Sequence, residues 1–238
     1  MSPAPSPPAP RAEYAARINR VLDHIQAHLA EELPLVELAQ VAAFSPYHFH
    51  RVFRAWCGET VGQFVARLRV ERAATQLVTA PRKTITEIAL DCGYSSSATF
   101  ARAFREAFGL TPTEWRAQGG RKPGQSESNP SQTVGNRGKD SCEVTWQSER
   151  LTHDRWRIAM TTPKLEATVT VQDLPERTVA YIRHLGPYAG DAALFERLFA
   201  RLMAWAGPRN LLGPDTQCLT LYYDDPGVTD PSKLRLDC

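Results

Sequence analysis

The sequence predicts an all-α front domain, built from two helix-turn-helix units joined by a long helix, followed by a small α+β C-terminal module. Three observations carry this reading. A block of the front half recurs 50 to 51 residues later, the spacing of apolar residues there is helical, and beyond residue 165 the apolar period changes from helical to alternating.

The repeat is legible residue by residue. Leu35, Glu37, Leu38, Ala39, Phe44 and Ser45 return as Ile85, Glu87, Ile88, Ala89, Tyr94 and Ser95. After a slip of one position, Phe49, Arg51, Phe53, Arg54, Gly58, Thr60 and Phe64 return as Phe100, Arg102, Phe104, Arg105, Gly109, Thr111 and Trp115.

Residues 1–12 carry five prolines and no apolar periodicity and are expected to form a disordered leader. Glu13 to His28 reads as an opening helix with Ile18, Leu22 and Ile25 apolar. In the first copy a short helix from Leu35 to Ala42 leads into the turn Ala43-Phe44-Ser45. Ser45 then caps a second helix with Pro46 in its first position. That helix, about Ser45 to Cys57, turns Phe49, Val52, Phe53 and Trp56 inward and Tyr47, His50, Arg51 and Arg54 outward. A long helix follows from Val61 to Thr79, stopped before Pro81, with Phe64, Leu68, Ala73 and Leu77 inward. In the second copy, about Ser96 to Phe108, Phe100, Ala103, Phe104 and Phe108 face inward while Ser97, Ala98, Arg102 and Arg105 face out.

Residues 119–164 turn to Gly, Ser, Gln, Asn and Arg and are expected to be a flexible linker, with a short strand or helix between Cys142 and Met160. From residue 165, Thr168–Val171 and Thr178–Ile182 alternate as strands. Ala192 to Ala206 is helical, with Leu194, Phe195, Leu198, Phe199, Leu202 and Trp205 inward, and Cys218 to Tyr223 is a further strand. The expected domains are therefore 13–118 and 165–238.

Composition narrows the function classes. Net charge is +2 over 11–118, +3 over 119–164 and −3 over 165–238, which suggests two folded parts with different partners. No apolar run is long enough to span a membrane, and the first residues lack the basic and apolar regions of a secretory signal. The five cysteines form no CxxC pair, so neither a disulfide framework nor a thiolate zinc site is indicated. His48 and His50, two apart on a helix, lie on different faces and do not make a metal pair. There is no phosphate-binding glycine loop and no nucleophile in a recognisable setting. The expectation is a cytoplasmic, non-enzymatic protein without metal or cofactor.

Two short helices with a tight turn, the second bearing a basic outer face, form the pattern that lays a helix in the DNA major groove. One copy alone is matched equally by a helical bundle with ordinary solvated arginines; two copies with arginines at equivalent places favour DNA. A 19-residue connecting helix spans about 28 Å, near the ~34 Å between successive major-groove faces, so a monomer could read two half-sites.

On these residues, and on the stretch IALDCGYSSSATFARAFREAFGLTPTEWR, the front domain from about Tyr14 to Gln118 resembles the DNA-binding domain of the AraC/XylS family of bacterial transcription regulators. The resemblance implies double-stranded DNA as partner, with RNA polymerase as a further one. It places base-reading and phosphate contacts on Tyr47, His50, Arg51 and Arg54 in the first unit, and on Ser97, Ala98, Thr99, Arg102 and Arg105 in the second. Ser97 and Ala98 stand where members often carry larger polar groups, so the second helix is expected to read bases weakly.

LPERTVAYIRHLGPYAG, the helix after it, LYYDDPGVTDP and KLRLDC resemble the first half of a GyrI-like effector-binding domain. That family's domain is a tandem of two such modules with the ligand between them. Only one is present, so the chain is either shortened or completed by a second chain as a tail dimer. Tyr181, Tyr188, Trp205, Tyr222, Tyr223 and Asp224, with Asp225, suit a hydrophobic cation. The competing reading puts Trp205 and one of the tyrosines in the core and makes Asp224-Asp225-Pro226 a plain turn. A different class also stays open: a small-molecule-binding or hydrolytic GyrI-like protein whose helical domain is an adaptor.

Overall fold

The computed structural model describes residues 10–120, 144–145, 159–160, 176–214 and 216–238. Residues 10–120 form α1 (Pro10–Ala27), α2 (Leu35–Val41), α3 (Pro46–Cys57), α4 (Val61–Thr79), α5 (Ile85–Asp91), α6 (Ser97–Phe108) and α7 (Pro112–Ala117). Most boundaries are written locally. Ser45 accepts from the His48 N–H and Ser96 from the Thr99 N–H, and the left-handed Gly58 and Gly109 end the two helices. Capping boxes Thr60/Gln63, Thr84/Glu87 and Thr111/Glu114 open α4, α5 and α7; each such cap is worth about 1 kcal/mol. The opening helix begins at Pro10, three residues ahead of the expected Glu13.

The helix α4 belongs to two cores. Val61, Phe64, Val65 and Leu68 pack with Ile18, Leu22, Ile25, Leu38, Phe49 and Phe53. Val70, Ala73, Ala74 and Leu77 pack instead with Ile88, Ala89, Phe100, Phe104 and Trp115. Each set has the spacing i, i+3, i+4, i+7, and the second starts nine residues after the first, a rotation of about 180°. The helix is therefore not one inward stripe, as the sequence suggests, but two stripes on opposite faces.

The repeat is reproduced ring by ring. Phe49 meets Phe53 at 5.6 Å and Phe53 meets Phe64 edge-on at 5.4 Å. Fifty-one residues on, Phe100 meets Phe104 at 5.4 Å and Phe104 meets Trp115 at 5.7 Å. Such edge-to-face pairs add to burial. Trp115 Nε1 donates to Ala74 O at 3.1 Å, so its buried polar edge is satisfied. Arginines clamp each unit to the helix before it: Arg69 Nε donates to Leu29 O at 2.9 Å, and Arg116 Nε to Leu77 O at 3.1 Å.

Both turns hold a left-handed residue, Ala43 at φ 53° and Gly93 at φ 79°. Only at the second is glycine required by space as well. A Cβ on Gly93 would lie 2.8 Å from Ala30 O.

The C-terminal part contributes β3 (Arg183–Leu185), α8 (Ala192–Ala206), β4 (Leu221–Tyr222) and β5 (Arg235–Asp237), after a two-residue ladder of β1 (Val144–Thr145) with β2 (Ala159–Met160). The sheet order is β3-β5-β4. The expected strand Thr178–Ile182 is instead irregular chain, the strand beginning only at Arg183, and Cys218–Tyr223 shortens to Leu221–Tyr222. Thr168–Val171 lies outside the described residues. In α8, Leu194, Leu198 and Ala206 are buried, whereas Trp205, expected inward, is 43% exposed under the Arg209 guanidinium.

Chain contacts divide the protein into two units. One holds residues 1–125 with 183–187 and 221–236, the other 126–182, 188–220 and 237–238. Within the first, the segment 221–236 lies against α4: Val228 joins the second core, and Arg235 stacks 5.6 Å over Phe64.

Candidate nucleic-acid interface

The inward faces of α3 and α6 are consumed by the aromatic pairs just described, which dictates what the outward faces present. On α3 these are Tyr47, 75% exposed, and the exposed Arg51 and Arg54, with His50 half-buried. Arg51 Cζ lies 5.9 Å from the centre of the Tyr47 ring, one helical turn apart, so the ring limits where the guanidinium swings. His48, His50, Arg51, Val52, Arg54 and Ala55 line one open depression, of ≈ 530 Å³. On α6, Ser97, Ala98, Thr99, Arg102 and Arg105 are all exposed. Ala98, Ala101, Arg102, Arg105 and Glu106 line a second depression, of ≈ 500 Å³.

His48 lines the depression on α3 but is also held by α1 and by the turn before α3. Its Nε2 is hydrogen-bonded to the Tyr14 hydroxyl at 3.2 Å and its ring meets Phe44 edge-on at 4.9 Å. It therefore fastens α3 to α1. Thr99 is partly committed too, its hydroxyl 3.0 Å from Ser96 Oγ. Two arginines per unit, exposed and about one turn from each other, are suited to phosphate neutralisation and to bidentate recognition of a guanine edge.

Glu106 on the second face was missed in the sequence reading. Its signal was available: it stands four residues after Arg102, and the repeat aligns it with Ala55.

The thiols beside these helices are inert. Burial pushes Cys57 up to about 12, and burial likewise pushes Cys92 up to about 11. Neither is a thiolate near neutral pH.

The six residues expected to hold an effector divide between the two units: Tyr222, Tyr223 and Asp224 in the first, Tyr181, Tyr188 and Trp205 in the second. Asp224 corrects the expectation of an available carboxylate. Its side chain is 3% exposed and accepts from Arg235 Nη2 at 2.6 Å, from Arg235 Nε at 2.9 Å and from the Arg235 N–H at 2.8 Å. Tyr223 is likewise occupied, with Arg183 and Arg235 at 5.1 and 5.4 Å from its ring centre. Tyr188 is buried, while Tyr222 and Trp205 are exposed.

Residues 38–118, which contain both outward helices, match the helix-turn-helix domain family. Regulatory protein SoxS of Salmonella typhimurium is 33% identical over 99 residues, an alignment covering 92% of SoxS and 42% of this chain. The chain belongs to the AraC family of helix-turn-helix transcription regulators. A second relative, the probable transcriptional regulator LumQ of Photobacterium leiognathi, is 34% identical over 102 residues. That match takes 42% of this chain and only 41% of LumQ, so the chain spans less than half of that relative's length. A crystal structure of an AraC-type transcriptional regulator from Chromobacterium violaceum aligns at 29% identity and TM-score 0.42, covering 48% of this chain and 99% of that one. Behind the AraC-family domain, residues 167–238 match the GyrI-like small molecule binding domain. Among the described residues, no helix is long and apolar enough to cross a membrane.

Proposed function

We propose that this protein is a transcription regulator, not an enzyme, that reads double-stranded DNA with α3 and α6 in successive major grooves and responds to a small molecule through residues 165–238. The observation that carries it is the recurrence of an exposed arginine pair, Arg51/Arg54 and Arg102/Arg105, at equivalent places on two capped helices tied to one rigid helix. Tyr47, His50 and Arg51 read bases in the first half-site, while Arg54, Arg102 and Arg105 neutralise phosphates. Ser97, Ala98 and Thr99 add short contacts in the second. The monomer suffices, because both reading helices are in one chain.

The GyrI-like match supports a small-molecule effector. The exposed ring of Trp205 already carries a cation, the Arg209 guanidinium 4.7 Å from its centre, and the carboxylate of Asp224 stays with Arg235.

Selection of bound sequences from random duplex DNA by the full chain, at two salt concentrations, tests the DNA reading. A bipartite site with halves about 10 base pairs apart and a steep salt slope is expected. Enrichment of no sequence above background would sink it and favour the adaptor reading.

A further inference from the structure

The two outward faces share their arginines and differ by one negative charge. Glu106, exposed on α6, lines the same depression as Arg102 and Arg105, whereas its counterpart on α3 is Ala55. Two further exchanges accompany it: the repeat sets Ala98 where α3 has Tyr47, and Ala101 where α3 has His50. Among the described residues, Glu106 forms no ion pair, and neither do Arg102 and Arg105.

A free carboxylate on a surface that meets a polyanion costs affinity unless it finds a donor. In the major groove the donors are the exocyclic amino groups, N4 of cytosine and N6 of adenine. Adenine sets its N7 acceptor beside N6, where it opposes a carboxylate. Cytosine has no such neighbour, and Glu accepting from cytosine N4 is the matching pair. The small side chains of Ala98 and Ala101 let α6 approach the groove floor more closely than Tyr47 and His50 let α3 approach. That shortens the reach required of Glu106.

We infer that Glu106 is a specificity determinant of the second half-site, accepting a hydrogen bond from N4 of a cytosine and rejecting the other bases at that position. This rests on the two-helix DNA reading above. It changes the character of the second helix from a weak reader to one that discriminates by charge.

The test is the same selection from random duplexes with the full wild-type chain, Glu106→Gln and Glu106→Ala. The wild type is expected to enrich a bipartite site with cytosine at one position of the second half. Glu106→Gln is expected to move that position from cytosine towards adenine, since glutamine pairs with N6 and N7 together. Glu106→Ala is expected to lose the cytosine preference by about tenfold, within the range of a single base contact, with first-half preferences intact. The inference is overturned if both variants keep every wild-type preference and merely bind all sequences more tightly by one factor, because the carboxylate would then only repel phosphate. It is also overturned if the wild-type site has no cytosine in its second half. A wild-type chain that enriches no bipartite site overturns the two-helix reading itself.

Discussion

Lys233 Nζ lies 3.0 Å from Glu59 Oε2, and the other oxygen of that carboxylate accepts from Arg67 Nη2 at 2.7 Å. Glu59 directly follows Gly58, the residue that ends α3, so one nearly buried carboxylate fastens the segment 221–236 to the foot of an outward helix. Removing it leaves Arg67, itself largely buried, with Glu71 as its remaining ion pair among the described residues. Glu59→Ala is expected to cost about 2 to 4 kcal/mol, and Lys233→Ala, whose partner keeps Arg67, less than about 1 kcal/mol. Urea unfolding of the full chain measures both; equal losses would mean that Glu59 does not hold the network.

The two kinds of arginine separate on a salt titration. Arg51→Ala is expected to lose about 1 to 3 kcal/mol on the preferred site and to relax preference within one half-site. Arg105→Ala is expected to weaken all sequences alike and reduce the salt slope by about 1. Binding isotherms on the selected site and a scrambled duplex distinguish them, and identical behaviour of the two variants would remove the division of labour.

Gly93→Ala combines a positive φ with a Cβ placed 2.8 Å from Ala30 O. The left-handed conformation alone costs about 1 to 2 kcal/mol, and the backbone contact adds to it. Ala43→Gly at the equivalent turn removes the same strain and is expected to be neutral or stabilising by up to about 1 kcal/mol. Opposite shifts of the thermal midpoint would bear this out; a neutral Gly93→Ala would not.

Acid should loosen the caps. Glu87 is held below its usual value by hydrogen bonds from the backbone and then the hydroxyl of Thr84, and Glu114 by those from the hydroxyl and then the backbone of Thr111. Because the folded values are lowered, the stability they lend is present above about pH 4.5 and is lost as pH falls through the lowered values. Glu71 runs the other way. Burial raises it, so its charged form disfavours the fold near neutrality, and protonation relieves that as pH falls through the raised value. Glu87→Gln together with Glu114→Gln is expected to flatten the acid limb of a stability profile, and Glu71→Gln to steepen it. Chemical unfolding between pH 3 and 7 reads both, and three superimposable profiles would sink the assignment.

The parts that were legible in the sequence are those whose causes are local. Ser45 announces its helix, and i, i+4 spacing separates Phe49 and Phe53 from Arg51 and Arg54 without any tertiary knowledge. What could not be read depends on partners far along the chain. The strand expected at Thr178–Ile182 starts later, because its ladder is set by Arg235–Asp237 some fifty residues on. Asp224, expected to help hold an effector with a plain turn as the competing reading, is instead engaged by Arg235 from eleven residues away. In α4 the stripe Phe64, Leu68, Ala73, Leu77 hid a reversal of faces that appears only when two cores compete for one helix.

That reversal makes α4 intolerant of changes in length. One residue inserted between Leu68 and Val70 would turn everything beyond it by about 100° and advance it by 1.5 Å, swinging the second stripe off its core. The angular phase between the two reading helices is thus inherited as a whole number of residues. Substitutions can retune what each helix reads, but the separation and phasing of the two half-sites can drift only if the fold is rebuilt.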